Sequence, residues 1–297
     1  MKMLTEFLKR HSLVLGIVLM FLFTWPLDLA NSGVLPIQIP LVVILFLGWG
    51  FVFASVIMTG LTLGKDGVIK LLKRFLQARV GWKWYLVALG FGPAAWIGGV
   101  YLNAALTGVP PDFSALMIYK ILGKSAVLPL MILPWFLYEV IANGEEIGWR
   151  GYILPRLQTK FNALTASLIL GLIWSFWHLP KYLSHFSIVS FGWAMIHFLA
   201  FAVVLTWIYN GTKGSLLLVT IAHAASNTAS MFLPVANTTT NENMGAYIAF
   251  ALIEVVVALV VIVFAGPARL SRTEAMQTPD LRSLNLKSQP QIKHNLQ

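Results

Sequence analysis

Long apolar runs with few charged residues recur along this chain and constrain its fold more than any other feature. A helix that crosses a bilayer needs about 20 apolar residues. Hydrophobic residues make up 58% and charged residues 11% of the 297 positions, and the mean hydropathy is +0.78. We therefore predict an all-α, polytopic integral membrane protein with about eight transmembrane helices. The predicted spans are 12–30, 37–61, 84–106, a run from 125 through the glutamates at 145 and 146, 163–179, 186–209, 216–232 and 247–265.

Hydropathy and charge divide the chain into four segments. Residues 1–64 hold two N-terminal spans, and the first is expected to be retained because no small-residue cleavage site follows it. Residues 65–83 interleave apolar and basic positions at helical spacing, which predicts an amphipathic cytoplasmic connector on the inner membrane surface. Residues 84–265 hold the remaining six spans. Residues 266–297 lack the apolar periodicity of a packed core, so we expect a disordered cytoplasmic tail.

The distribution of basic residues predicts the orientation in the membrane. Of the 21 Lys and Arg residues, all but Lys120, Lys124 and Lys181 fall on segments at one side of the predicted spans. The positive-inside rule then places both termini in the cytoplasm of a multi-pass protein of the cell membrane. Because these residues are spread over the connections between spans, we expect contact with the lipid bilayer and none with nucleic acid. The chain has no cysteine, which excludes disulfides, a thiol nucleophile and thiolate metal ligands.

Four ionisable residues interrupt the apolar runs. They are Glu145, Glu146, His178 and His223, and a charge at bilayer depth costs about 2.5–3.5 kcal/mol, so such groups are usually functional. Glu145 and His178 lie equally far from a polar turn near residue 161, which places them at one depth in an antiparallel hairpin. His223 reaches a similar depth from a separate inner turn.

Asn227 follows His223 by four residues and shares its helical face. A carboxylate buried among apolar helices becomes a stronger base, so Glu145 is the candidate general base, with His178 holding the attacking water. His223 and Asn227 can donate hydrogen bonds to an oxyanion.

Structural alternatives exist for each of these residues. Glu146 and Arg150 are spaced i, i+4, and their ion pair can either fix a helix or support the chemistry. His178, just before Pro180, can be a histidine at the end of a helix. His223 and Asn227 can bond neighbouring membrane helices.

Three further ionisable residues lie in apolar runs. Glu139 precedes Glu146 by seven residues and shares its face, which favours a supporting role beside the site. His197 and Glu254 have no partner that the sequence identifies, and His197 is expected to be structural.

Three motifs give the chain a resemblance to a known family. They are Glu145-Glu146-Ile147-Gly148-Trp149-Arg150, then Trp174 four residues before His178, then His223 four residues before Asn227. In this order they resemble the CAAX-protease and bacteriocin-processing (CPBP, or Abi) family of intramembrane endopeptidases, which is related to the type II CAAX prenyl endopeptidases. The similarity extends from about residue 65 to residue 232. Trp174 stands where the prenyl proteases have Phe, which suggests a bacterial-type member whose substrates need not carry a CAAX sequence.

The resemblance implies hydrolysis of a peptide bond inside the membrane, near the carboxyl end of a peptide or a membrane-anchored protein. By analogy Glu145 and His178 activate water, His223 and Asn227 form the oxyanion site, and Glu146 and Arg150 support them. The family is also called a metalloprotease family and is linked to bacteriocin immunity, peptide maturation and regulation. We favour no cofactor, although a divalent metal such as zinc accepts these ligand types; the chain has no His-Glu-x-x-His pattern.

Two other classes of protein also place Glu and His inside a membrane. A proton-coupled transporter does so, but it predicts a repeat symmetry that the chain does not show. A non-catalytic immunity or scaffold protein keeps the fold and tolerates the loss of Glu145. The enzyme interpretation does not tolerate that loss.

Overall fold

The described part of the chain consists of helices joined by turns. The computed structural model describes residues 2–124, 128–142, 144–183, 187–235 and 244–272, and no strand occurs among them. The α-helices are α1 (Lys2–Arg10), α2 (Ser12–Asn31), α3 (Leu41–Gly48), α4 (Gly50–Lys73), α5 (Trp82–Thr107), α6 (Tyr119–Leu122), α7 (Ile132–Ala142), α8 (Leu154–Gln158), α9 (Ala163–Trp177), α10 (Pro180–Leu183), α11 (Ile188–Gly211), α12 (Leu216–Phe232) and α13 (Gly245–Ala265). A π-helix, Ile147–Ile153, precedes α8.

Several of these helices have the length and apolarity of membrane spans. Among the described residues, α2, α5, α11, α13 and the run Gly50–Leu76 are long and apolar enough to cross a bilayer. Helices α9 and α12 are apolar but shorter. The prediction of an all-α polytopic membrane protein is confirmed.

Two predicted spans are interrupted, so the prediction of one continuous helix over each range is wrong. In the range 37–61, α3 ends at Gly48, Trp49 leaves helical geometry at φ −94° and ψ 14°, and α4 begins at Gly50. The range that starts at 125 contains a 3₁₀ turn, Leu128–Met131, followed by α7, and the π-helix comes after it. Hydropathy averages apolarity over a window, and it does not report where the backbone bends.

A kink at Gly64 marks the start of the predicted connector. Its φ of 70° and ψ of −170° lie in a region that only glycine adopts readily. Helix α4 continues beyond the kink to Lys73, and a 3₁₀ turn, Arg74–Leu76, follows. The connector, predicted over residues 65–83, is therefore helical at its beginning and again from Trp82, where α5 starts, and residues 77–81 between these parts are not helical. Its position on the membrane surface stays a prediction.

The beginning of the predicted tail packs against the helices. The backbone N–H groups of Ala163 and Leu164 donate to the carbonyls of Ala268 and Pro267, at 3.1 and 3.0 Å. The predicted boundary at 266 therefore falls within packed chain, and residues 273–297 lie outside the described residues.

Helices α11 and α12 lie at the centre of the bundle. Helix α12 packs against α5, α7 and α11, and α11 packs against α9 and α13. On the other side, α4 packs against α2 and against the π-helix. The motif-bearing segments thus face one another across the middle of the fold.

Candidate functional site

The π-helix that follows the two glutamates is completely buried. Turns of this kind are rare and often occur at functional sites. Two glycines let neighbouring side chains come close to it. A Cβ at Gly148 would lie 2.3 Å from Cδ1 of Phe51, and one at Gly151 would lie 2.8 Å from Cδ1 of Leu71. Because both contacts come from α4, that helix holds the segment directly behind Glu146.

A buried charged cluster consists of Glu146, Arg150 and His223. Glu146 and Arg150 are 0% exposed and His223 is 4% exposed. Arg150 Nη1 donates to Glu146 Oε1 at 2.8 Å, and His223 Nδ1 bonds the same oxygen at 2.9 Å. The Arg150 guanidinium also lies over the Trp174 ring, 4.7 Å from its centroid. The structure therefore has the Glu146–Arg150 pair that the i, i+4 spacing predicts, and it adds His223 to that pair.

A second set of polar side chains is only half-buried. It consists of Glu145, His178 and Asn227. Trp149 Nε1 donates to Glu145 Oε2 at 3.2 Å. The Trp174 ring relates the two histidines, because its centroid lies 5.2 Å from the ring centroid of His223 and 6.2 Å from that of His178. The six predicted site residues thus occupy one region, and a direct bond between Glu145 and His178 stays a prediction.

The ring of His178 is held by its own helix end and by aromatic neighbours. Its Nδ1 is 3.1 Å from the Trp174 carbonyl oxygen. Since a carbonyl only accepts, Nδ1 carries the proton and Nε2 of the neutral ring keeps a lone pair. The ring stacks on Phe198 at 4.2 Å between centroids and meets Trp177 edge-on at 4.5 Å. These contacts fix both the tautomer and the ring plane.

Asn227 has Glu139 as its hydrogen-bond partner. The sequence predicts only that Glu139 shares a helical face with Glu146. Nδ2 of Asn227 donates to Oε2 of Glu139, on α7, at 3.1 Å. Because this bond uses one of the two amide N–H groups, the other remains available as a donor. Glu139 also interacts electrostatically with His223 and Glu145. Its carboxylate therefore sets which way the Asn227 amide faces.

The structure shows one further carboxylate that the sequence did not predict, and it gives partners to His197 and Glu254. Asp28 of α2 is half-buried, and its helix contacts the end of α9, where Trp25 Nε1 donates to the Trp177 carbonyl at 3.0 Å. The rule that singled out the other intramembrane carboxylates would have found it, since it interrupts an apolar run. His197 and Glu254 hydrogen-bond to each other through Nδ1 and Oε2, and they join α11 to α13.

The described residues do not fit a ready-made metal site. No group of three or more His, Asp and Glu side chains among them is arranged to hold a metal ion. The positive guanidinium of Arg150 already meets the Glu146 carboxylate at Oε1, which His223 also bonds, and this charge disfavours a cation beside it.

Comparisons with known proteins coincide with the site. Residues 125–229 match the family model of the type II CAAX prenyl endopeptidase Rce1-like proteins, and this range contains all six predicted site residues. Over 101 residues the chain is 31% identical to CAAX prenyl protease 2 of Methanococcus maripaludis. That alignment covers 31% of this chain and 37% of the relative, so the chain spans little more than a third of the relative's length.

Proposed function

Since these matches support a CPBP/Rce1-like family for the chain, we propose that it is an intramembrane endopeptidase. It hydrolyses a peptide bond in a peptide or a membrane-anchored protein. The observation that supports the proposal is a difference in burial: Glu145, His178 and Asn227 are half-buried, whereas Glu146, Arg150 and His223 are buried. The half-buried groups can meet water and substrate, and the buried ones hold them in place.

Glu145 and His178 activate the water in this scheme. The lone pair on Nε2 of His178 accepts a hydrogen bond from the water, and Glu145 takes the proton as the water oxygen attacks the carbonyl carbon. The resulting tetrahedral intermediate carries the negative charge on the former carbonyl oxygen. When the C–N bond breaks, the proton held by Glu145 passes to the leaving amine, which leaves a carboxylic acid and a free amine as products.

His223 and Asn227 stabilise the oxyanion. Glu146 accepts from Nδ1 of His223, and this carboxylate supports a protonated ring that donates from Nε2. The second N–H of the Asn227 amide, which Glu139 orients, supplies the other donor. Removing one such donor typically costs about 10²–10³ in kcat.

The substrate class follows from the location of the site. A site between membrane helices selects peptides that reach it from the bilayer surface, such as the end of a membrane-anchored protein. The aligned relative is named as a CAAX prenyl protease, and a lipidated carboxyl-terminal peptide is therefore the first substrate to test here. An unlipidated peptide of the same sequence separates recognition of the lipid from recognition of the peptide.

The test is cleavage by the purified protein in liposomes. Quenched-fluorescent peptides, lipidated and unlipidated, are compared for wild type, Glu145→Gln and His178→Ala, each with and without a chelator. Glu6→Gln is the matched control, because Glu6 is an exposed carboxylate on α1. We expect cleavage by wild type and the control, loss in both site variants, and no effect of the chelator.

Other results of the cleavage test would favour a metal mechanism, a transporter or a scaffold. Chelator-sensitive cleavage that zinc restores would make the same residues metal ligands. Equal cleavage by wild type and Glu145→Gln would refute the proposal. Proton-coupled flux that depends on Glu145 without any cleavage would instead indicate a transporter, and an intact fold with neither activity would indicate a scaffold.

A further inference from the structure

The proposed hydrolysis leaves one buried pair of ionisable side chains without a role. His197 of α11 and Glu254 of α13 are both buried. Nδ1 of the histidine and Oε2 of the glutamate hydrogen-bond to each other, and Oε1 of the glutamate has no hydrogen-bond partner among the described residues. Losing the shared bond would leave a buried polar group unsatisfied, which is costly. The bond therefore holds the His197 ring against α13.

Two aromatic rings of α13 also contact His197. The ring centroid of His197 lies 5.1 Å from that of Phe250 and 6.1 Å from that of Tyr247. Phe250 in turn stacks on Trp96 of α5, with 3.5 Å between centroids. Since α13 holds His197 by one hydrogen bond and two ring contacts, the imidazole does not turn without breaking them.

The His197 ring packs on two phenylalanines of its own helix. Its centroid lies 4.7 Å from that of Phe198 and 5.5 Å from that of Phe201. The two phenylalanines are buried and three residues apart, a spacing that makes their side chains neighbours on one face of α11. Because buried side chains are closely packed, a shift of the imidazole displaces both rings.

Each of these phenylalanines contacts one histidine of the candidate site. Phe198 stacks on His178 at 4.2 Å between centroids, with 19° between the ring planes. Phe201 meets the His223 ring edge-on at 5.8 Å. Both phenylalanines also pack on the Trp174 ring, at 5.1 and 5.7 Å. They are therefore the part of α11 that contacts both histidines.

We propose that His197 is a positioning residue for the two histidines of the candidate site. Its bond to Glu254 holds the imidazole, and the imidazole holds the two phenylalanines that fix the rings of His178 and His223. His197 does not touch the substrate in this scheme. Catalytic groups must be held within about 0.5 Å of their productive positions, so a displacement passed on through one ring changes the rate. This inference rests on the proposed function, which gives the two histidines their roles.

The test measures kcat and KM for peptide cleavage by the full chain in liposomes, with variants that separate position from stability. Glu254→Leu removes the bond, and Glu254→Gln keeps an oxygen acceptor. The double variant His197→Phe with Glu254→Leu removes both polar groups and keeps a ring. Exchanging a whole buried pair for apolar residues is often close to neutral, so the double variant should be about as stable as wild type.

Asn210→Leu is the matched control. Asn210 is a buried residue of α11, and its Nδ2 donates to the backbone carbonyl of Arg269 at 2.7 Å. It links α11 to the segment after α13, as the bond of His197 links α11 to α13 itself. Along the helix it lies about 20 Å from His197. Its loss should lower the unfolding temperature without changing kcat.

We expect kcat to fall about ten-fold or more in Glu254→Leu and in the double variant. KM should change little, because the two histidines act on the transition state. Glu254→Gln should recover part of the rate. If Glu254→Leu does not fold, the double variant decides. Wild-type kcat in the double variant, or an equal loss of kcat in Asn210→Leu, would overturn the inference and leave the proposed function intact.

A second measurement does not depend on cleavage. NMR spectra of isotope-labelled histidine rings in detergent micelles report the ring contacts, and His178→Gln and His223→Gln assign the two signals. Both signals should move in Glu254→Leu and keep their positions in Asn210→Leu. If wild type cleaves no peptide but both signals move, the proposed function fails and the positioning by His197 stands. Unmoved signals in Glu254→Leu would overturn the inference whatever the activity.

Discussion

Replacing Arg150 by methionine tests how the buried cluster is held. The substitution removes the guanidinium that bonds Glu146 at 2.8 Å and lies 4.7 Å from the Trp174 ring. Both members of the pair are 0% exposed, so solvent does not screen the loss. Breaking a buried ion pair by removing one partner costs about 3–5 kcal/mol, because the other charge stays buried. We expect Arg150→Met to lower the free energy of unfolding by about that amount.

The remaining bond from His223 limits the loss but does not cancel it, because that imidazole has only one N–H directed at Glu146. The measurement is reversible unfolding in mixed micelles, followed by tryptophan fluorescence. The triple variant Glu146→Leu, Arg150→Met and His223→Leu is the control, since exchanging a whole buried charged cluster for apolar residues is often close to neutral. A loss below about 1 kcal/mol in Arg150→Met, the level of an exposed pair, would refute the reasoning, as would a triple variant less stable than the single one.

Three further predictions follow from the packing and the polar contacts. Gly148→Ala should destabilise the protein by about 1–3 kcal/mol, because the new Cβ would lie 2.3 Å from a phenylalanine ring. Gly192→Ala should leave the stability unchanged, because nothing lies within 4 Å of its Cβ. Thermal unfolding of the two variants measures this difference. Glu139→Leu should lower kcat more than it raises KM, because Asn227 loses its orienting bond, and Glu139→Gln, which keeps an acceptor, should recover part of the rate. Glu254→Leu should leave a histidine of α11 without its bond to α13 and lower the unfolding temperature, and Glu254→Gln should lower it less.

Residue spacings within a single helix predicted much of the candidate site. Glu146 and Arg150 pair because a separation of four residues brings side chains together on any helical turn. His223 and Asn227 share a face of α12 for the same reason. Asn162 caps α9 by accepting from the N–H of Thr165 at 2.8 Å, in the polar turn that the sequence predicts. Such features depend only on residues close in the chain.

Spacing along the chain did not predict which residues pair between different helices. His223 meets Glu146 across 77 positions, and Asn227 meets Glu139 across 88. Which residues face each other over such separations depends on how each helix is rotated about its axis and how closely it packs. The spacing of residues along one helix does not fix either quantity.

The sequence by itself determined the membrane class, the apolar spans and the motif residues, because apolarity and short spacing are properties of the chain alone. Only the tertiary structure decided that Glu146 belongs to the buried cluster while Glu145 remains half-buried. It also decided that His197 of α11 bonds Glu254 of α13. The physical reason is that burial and charge pairing arise from the packing of helices that lie far apart in the sequence.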